Sequence, residues 1–192
     1  MITIGILAPD NSVEIVNTLK DIIRQNGYVT AVNENGIQTQ KKLALYERSG
    51  IEYAVVIFNH KKIYPVALDI LILDNAKNQK LVTLELVKCI TEKTLLIYNT
   101  DNGYLPALNH PNAIEYGFGR NSAVTISSIG YNDASVDILL CINRPFSGIF
   151  SNNIYVGELL VNTKMRSDIA NLIPAIICGL VCDIICEHAV KI

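Results

Sequence analysis

Charge is scarce in this chain: only 18% of its 192 residues are Asp, Glu, Lys or Arg, and the formal net charge is −2. Lys and Arg are scattered apart from the pairs Lys41-Lys42 and Lys61-Lys62, which excludes the basic stripe of a nucleic-acid-binding surface. A secretory segment is also missing. Met1 leads straight into an alternating apolar strand with no basic region or cleavage site, so a cytoplasmic location is expected. Five cysteines are an odd number, which argues against a disulfide framework and predicts free thiols. The most apolar stretch, Ile169 to Ile185, holds Asn171, Pro174 and Gly179. It falls short of the roughly 20 apolar residues a membrane span requires, so a helix buried on several sides is expected instead.

The phosphate loop is the absence with most bearing on function. Residues 3 to 27 have the form of a strand, a loop and a helix at which nucleotides bind, but the turn reads Ala8-Pro9-Asp10-Asn11-Ser12-Val13-Glu14. A phosphate loop needs glycines for close backbone approach, a Lys for the β- and γ-phosphates and a Ser or Thr for magnesium. Two carboxylates, Asp10 and Glu14, stand where an anion would sit. Acidic side chains complement the dipole of a helix N-terminus, and Asn11 with Glu14 three residues on has the spacing of a capping box. The helix end is expected to satisfy itself internally.

What is present is half hydrophobic, with a mean hydropathy of +0.30, and the length suits one domain with a sizeable core. Ile2 to Leu7 reads as a strand. Val13, Val16, Leu19, Ile22 and Ile23 fall at helical spacing before Gly27 stops the run. Tyr28 to Asn33 predicts a second strand and Gln38 to Ser49 a second helix ended by Gly50. Tyr53 to Phe58, Leu68 to Leu73 and Thr94 to Tyr98 are continuous apolar runs of the kind a parallel sheet buries on both faces, and Gln79 to Ile90 reads as helical. Strands alternating with helices imply an α/β fold with a mostly parallel sheet and right-handed crossovers over residues 1–117. Residues 118–166 alternate more strongly. Ala123 to Ile129, Val136 to Ile142 and Ile154 to Val161 predict a small antiparallel appendage, and a long C-terminal helix is expected within 167–192, from about Ser167 to Ala189.

Four segments carry a family resemblance. They are the opening strand, loop and helix ending in Gly27-Tyr28; Leu95-Leu96-Ile97-Tyr98-Asn99-Thr100-Asp101-Asn102-Gly103-Tyr104-Leu105; Ile114-Glu115-Tyr116-Gly117; and Asn171-Leu172-Ile173-Pro174-Ala175-Ile176. In this order they resemble the central ATP-binding domain of the Mur ligase family, enzymes that join amino acids to cell-wall precursors. The departures are as specific as the matches. The family's glycine-rich GKT loop is absent, and Ile57 or Phe58 stands where the family has a magnesium-binding Glu; a hydrocarbon cannot ligate magnesium. Asp74-Asn75 lacks the family's following His, and no lysine stands in the matching place to be carbamylated. At this length the chain leaves no room for the family's precursor-binding and amino-acid-binding domains, so an isolated domain is expected. The resemblance places Asn171 near an adenine; a helix-start residue bonding nearby backbone is the alternative.

Among other candidates, Asp101 is the best-placed polar residue for a ligand, because open α/β sheets bind ligands at the C-terminal ends of their strands. Asn99, Asp101 and Asn102 equally suit capping of a following helix. Lys61, Lys62 and Arg120 are the cations available to a non-standard nucleotide site. Cys178, Cys182 and Cys186 line one helix face near His188, a pattern expected from core packing more than from metal, since structural zinc prefers turn-borne Cys pairs. His60, His110, Ser127-Ser128 and Ser147 offer no nucleophile arrangement. The expected function is a non-catalytic domain with no cofactor or metal, acting by self-association or with a protein partner that covers its surplus apolar surface. One alternative is a subunit of an amide-bond-forming ligase whose partner supplies the nucleotide groups. Another is a small-ligand sensor working at the strand ends through Asn99, Asp101 and Asn171.

Overall fold

The structure, a computed structural model, describes residues 1–8, 12–59, 62–74, 84–101, 110–119, 121–131, 135–150, 152–163, 169–185 and 190–191. Five strands of the first half, β1 (Ile2–Leu7), β2 (Thr30–Glu34), β3 (Tyr53–Ile57), β4 (Ile70–Leu73) and β5 (Leu95–Asn99), lie parallel in the order β5-β4-β1-β3-β2. The central strands are apolar at nearly every position because both faces are covered. Ile4, Ile6, Val55, Ile70, Ile72 and Ile97 point to one face, which α1 (Ser12–Gln25) and α4 (Ile169–Val181) cover. Val56, Leu71, Leu73 and Leu96 point to the other, against Leu43 of α2 (Thr39–Arg48) and Leu86 of α3 (Leu84–Val87). α1 and α4 run parallel: Asn171 meets Glu14 near their starts, and eight residues further along each helix Gly179 approaches Ile22.

The antiparallel strands belong to the same ten-stranded sheet. β6 (Ala113–Tyr116) extends the parallel part, and β7 (Val124–Tyr131) joins it in parallel through Tyr116 and Val124. β8 (Val136–Ile142) and β11 (Gly157–Thr163) then add antiparallel. The single strand expected over 154–161 is split, because β9 (Phe146–Ser147) and β10 (Asn153–Ile154) form a separate hairpin and Tyr155 and Val156 are exposed between β10 and β11. α3 is helical only over Leu84–Val87 among the described residues, and its exit tightens into three-residue bonds such as Cys89 N–H to the Leu86 carbonyl. The other end of that predicted helix, 79–83, lies outside the described residues.

The C-terminal helix is shorter than expected. α4 ends at Val181 and the chain returns as β12 (Val190–Lys191), parallel to β11. The stop is a backbone motif. The Asp183 N–H donates to the Leu180 carbonyl and the Ile184 N–H to the Gly179 carbonyl, with Asp183 at φ 55°. This is the Schellman pattern, in which a left-handed residue closes the last turn. Gly27 (φ 84°) and Gly50 (φ 75°) close α1 and α2 in the same way, so their glycines were legible as stops whereas an aspartate was not. A left-handed non-glycine residue costs roughly 1–2 kcal/mol. Asp183→Gly is therefore expected to stabilise the protein by about 1 kcal/mol, a rise in Tm of roughly 2–4 °C, measurable by a circular-dichroism melt.

α4 has no polar side over its middle: Leu172, Ile173, Ala175, Ile176, Ile177, Cys178, Leu180 and Val181 are all buried. Each buried aliphatic side chain there contributes roughly 1.5–3 kcal/mol of hydrophobic stabilisation before entropy is counted. The helix is enclosed by α1, the sheet and residues of β7, β8 and β11 in one continuous core. That enclosure explains its composition. No helix among the described residues is long and apolar enough to cross a membrane.

Candidate functional site at the strand ends

β1 sends its chain to the α1 face and β4 sends its chain to the α3 face. The crevice between their C-terminal ends is thus the point at which an open α/β sheet presents a ligand site. Asp74, the residue after β4, stands there, buried, with its N–H donating to the Leu7 carbonyl across the crevice. Residues 9–11, which follow Ala8 in the chain, and 75–83, which follow Asp74, lie outside the described residues, and with them Asn11, the expected partner in a capping box.

The register Leu73 against Tyr98 sets Asp74 beside Asn99 at the end of β5. The Asn99 amide Nδ2 donates to Asp74 Oδ1 at 2.7 Å, and Asn99 Oδ1 accepts the Asp101 N–H at 2.9 Å. One buried side chain thereby ties two strand ends together and shapes the turn leaving β5. Asp101 reaches the other way, its Oδ2 accepting the Phe118 N–H at 2.7 Å beyond β6. The expected helix cap falls on residues 102–109, outside the described residues, and the visible work of the Asp101 carboxylate is to bridge β5 and β6. Thr100 Oγ1 donates to the Tyr116 carbonyl at 3.0 Å, which leaves the Ser122 hydroxyl to donate to Thr100 Oγ1 at 2.7 Å.

Tyr116 is completely buried on the α1 and α4 face, and its hydroxyl has no hydrogen bond of normal geometry among the described residues. Burial, and then the negative charge of nearby Asp74, hold its pKa well above the ordinary phenol value. The group is a neutral phenol throughout the physiological range. On the opposite face, Tyr98, Thr100, Asp101, Glu115 and Ser122 border a cleft of about 390 Å3. Tyr98 is pushed up to about 12, first by burial and then by Glu115, with Arg144 opposing. Arg144 is taken up by Glu115 at 2.5 Å and by the Asn121 carbonyl at 2.9 Å. Among the described residues the cleft is lined by neutral hydroxyls and by carboxylates, one of which is already paired.

Asn171 occupies the first turns of α4, on the same face and at the same end of the sheet as Asn99. Its Nδ2 donates to Glu14 Oε2 of α1 in a short bond, while its Oδ1 is buried without a partner among the described residues. Glu14 thus serves a tertiary contact rather than only its own helix end. Asn99 and Asp101 are brought together directly; Asn171 joins them by face and end, and no bond among the described residues links it to them.

The remaining candidates disperse. Lys62 stacks its ammonium over the Tyr64 ring at 5.1 Å, and Lys61 and Arg120 lie outside the described residues, as do His60, Cys186 and His188. His110 is spent on loop structure: Nδ1 accepts the Asn112 N–H, so Nε2 carries the proton that meets the Thr91 carbonyl. Cys178 and Cys182 are buried free thiols in the core. Cys178 is held well above the usual thiol pKa by its bond to Cys182 and by burial. Among the described residues no group of His, Cys, Asp or Glu is arranged to hold a metal ion. Sequence reasoning missed the partnership of Asp74 with Asn99 and the bond from Asn171 to Glu14. The first needed only the adjacency of β4 and β5, while the second spans 157 residues and leaves no local trace.

No family model and no curated protein sequence matches the chain. Solved structures do share its fold. MurF ligase from Thermotoga maritima, in complex with ADP, superposes with a TM-score of 0.62 at 12% identity, covering 93% of this chain and 44% of that one. MurF from Acinetobacter baumannii gives 0.63 at 12% identity, over 95% and 43%. Folylpolyglutamate synthetase from Lactobacillus casei gives 0.58 at 8% identity, over 94% and 57%. The fold is Mur-ligase-like, and the chain spans roughly half the length of these proteins.

Proposed function

We propose that this chain is a Mur-ligase-like domain that carries out no ligation of its own and acts by self-association or through a protein partner, in cytoplasmic cell-wall or peptide-ligase metabolism. One observation carries the reading: the sequence from the end of β1 through the first turn of α1 carries Asp10 and Glu14 and no Lys, and Glu14 is engaged by Asn171. Phosphoryl transfer relies on positioning, metal and positive charge around the transferred group. Support also comes from β3, whose end is Ile57 followed by buried Phe58 rather than a carboxylate. Exposed Phe150, Tyr155, Val156 and Leu160 supply apolar surface for association.

Two measurements on the purified chain test this. Light scattering after size exclusion is expected to give a dimer or larger species, and a strict monomer that also captures no partner would overturn the associative reading. Calorimetric titration with magnesium ATP is expected to show no saturable heat up to about millimolar concentration, a free energy of about −4 kcal/mol at most. Micromolar binding would favour a second reading, a subunit of an ATP-dependent amide-bond-forming ligase. What favours that alternative is the ordered set Asp74, Asn99 and Asp101 at the sheet crevice, on a fold shared with a ligase solved with ADP.

A further inference from the structure

β2 is the last strand of the ten-stranded sheet. It pairs with β3 on one side, and among the described residues no strand lies on the other. The Val29 carbonyl accepts the Tyr53 N–H at 3.2 Å and the Asn35 N–H donates to the Ile57 carbonyl at 2.8 Å, so the register gives the backbone of Val29, Ala31, Asn33 and Asn35 to β3. The alternate residues of a parallel ladder face away. Thr30, Val32 and Glu34 therefore point their N–H and C=O groups out of the sheet. The Glu34 carbonyl is taken by Asn33 Nδ2 at 2.7 Å. The Glu34 N–H and both groups of Thr30 and Val32 meet no partner among the described residues.

Edge strands are commonly blunted by lysine, proline or a bulge. Tyr28 to Glu34 holds no Lys and no Pro, and β2 keeps an unbroken register with β3. Its one charge, Glu34, stands exposed at the end of the strand.

The edge is complementary to itself. An antiparallel copy in full overlap is centred on Val32, so the two Val32 residues exchange two hydrogen bonds and each Glu34 N–H meets a Thr30 carbonyl across a two-fold axis. Thr30 Oγ1, buried without a partner among the described residues, then stands opposite the exposed Glu34 carboxylate of the second copy, an acceptor within one χ1 rotation. No like charges face each other. Val29, 51% exposed just before the strand, comes beside the turn that carries Ile37, 83% exposed just after it, so each copy covers apolar surface that the other leaves open.

We propose that β2 pairs antiparallel with β2 of a second copy of this chain, joining two ten-stranded sheets into one. The inference rests on the self-association reading above and gives that association its surface.

The test is amide hydrogen exchange of the full chain at rising protein concentration, with light scattering alongside. Exchange at Val32 and Glu34 is expected to slow at least about tenfold between the monomeric and dimeric ranges, while Ala31 and Asn33, already bonded to β3, change far less. Glu34→Pro removes an outward N–H and no bond to β3, a change an edge strand tolerates. It is expected to raise the dimer dissociation constant about tenfold or more, whereas Glu34→Ala, which keeps the N–H, raises it no more than about threefold. A dimer whose Val32 exchange is independent of concentration, or one that persists unweakened in a folded Glu34→Pro, would overturn the pairing and leave self-association standing. A strict monomer would overturn both.

Discussion

Gly148→Ala is expected to lower stability by about 3 kcal/mol, at the upper end for overpacking, and Tm by roughly 6–12 °C. A Cβ at this position would lie 1.9 Å from Asn152 Oδ1 and 2.5 Å from the Val181 carbonyl oxygen. The second atom is backbone, so no rotamer change relieves the clash. The region is also where the β9–β10 hairpin caps α4. The Ile149 N–H donates to the Val181 carbonyl and Asn152 Nδ2 to the Leu180 carbonyl, satisfying acceptors that a helix C-terminus leaves open. Moving the hairpin to admit a methyl group breaks these bonds as well as the packing. Urea denaturation measures the loss, with Gly157→Ala as control, since a Cβ there meets nothing within 4 Å. A midpoint shift no larger for Gly148 than for Gly157 would contradict this view of the hairpin as a tertiary cap.

Asn99→Leu is the second large effect, an expected loss of about 2–4 kcal/mol. The substitution is close to isosteric, so little of the cost is packing. Removing the amide strips buried Asp74 of the donor at 2.7 Å and leaves the Asp101 N–H without its acceptor. A buried carboxylate that loses a donor costs more than the hydrogen bond itself contributed, because its water has already been removed. The same variant should loosen the turn at Asp101 and with it the bridge to Phe118, so amide hydrogen exchange at 100–101 and 116–118 is expected to accelerate while β1 and β3 stay protected. A loss below about 0.5 kcal/mol would mean that water replaces the amide and that the crevice is open and hydrated.

The two substitutions differ in how visible their reasons were. Asn99 was named from its place at the end of an apolar run and from the family wording of its segment, since strand ends are where polar residues meet ligands or caps. Its actual partner was Asp74, one strand away, and pairing between strands is a matter of sheet order that neither sequence segment states. Gly148 sits in a stretch with no periodic signal, and the atoms that forbid a side chain there come from residues four and 33 positions further along. Asn171 was named through family wording. The residue that holds it, Glu14, was assigned to its own helix end, because i to i+3 spacing is legible and a contact across the core is not.

By itself the sequence determined the α/β class, the parallel order of strand and helix through residue 117, the stops at Gly27 and Gly50, the burial of α4 and the want of a lysine in the first turn. These follow from short-range rules: hydrophobic period, glycine's access to positive φ, and the chemistry a phosphate loop demands. Tertiary structure alone decided that α4 ends at Val181, that the antiparallel strands continue the main sheet, and that Asp74, Asn99 and Asp101 form one network. The physical reason is the same in each case. A helix end and a buried carboxylate are each stabilised by partners that the chain brings near only after the core has closed, and the free energy of such contacts belongs to the packed arrangement of segments rather than to any one of them.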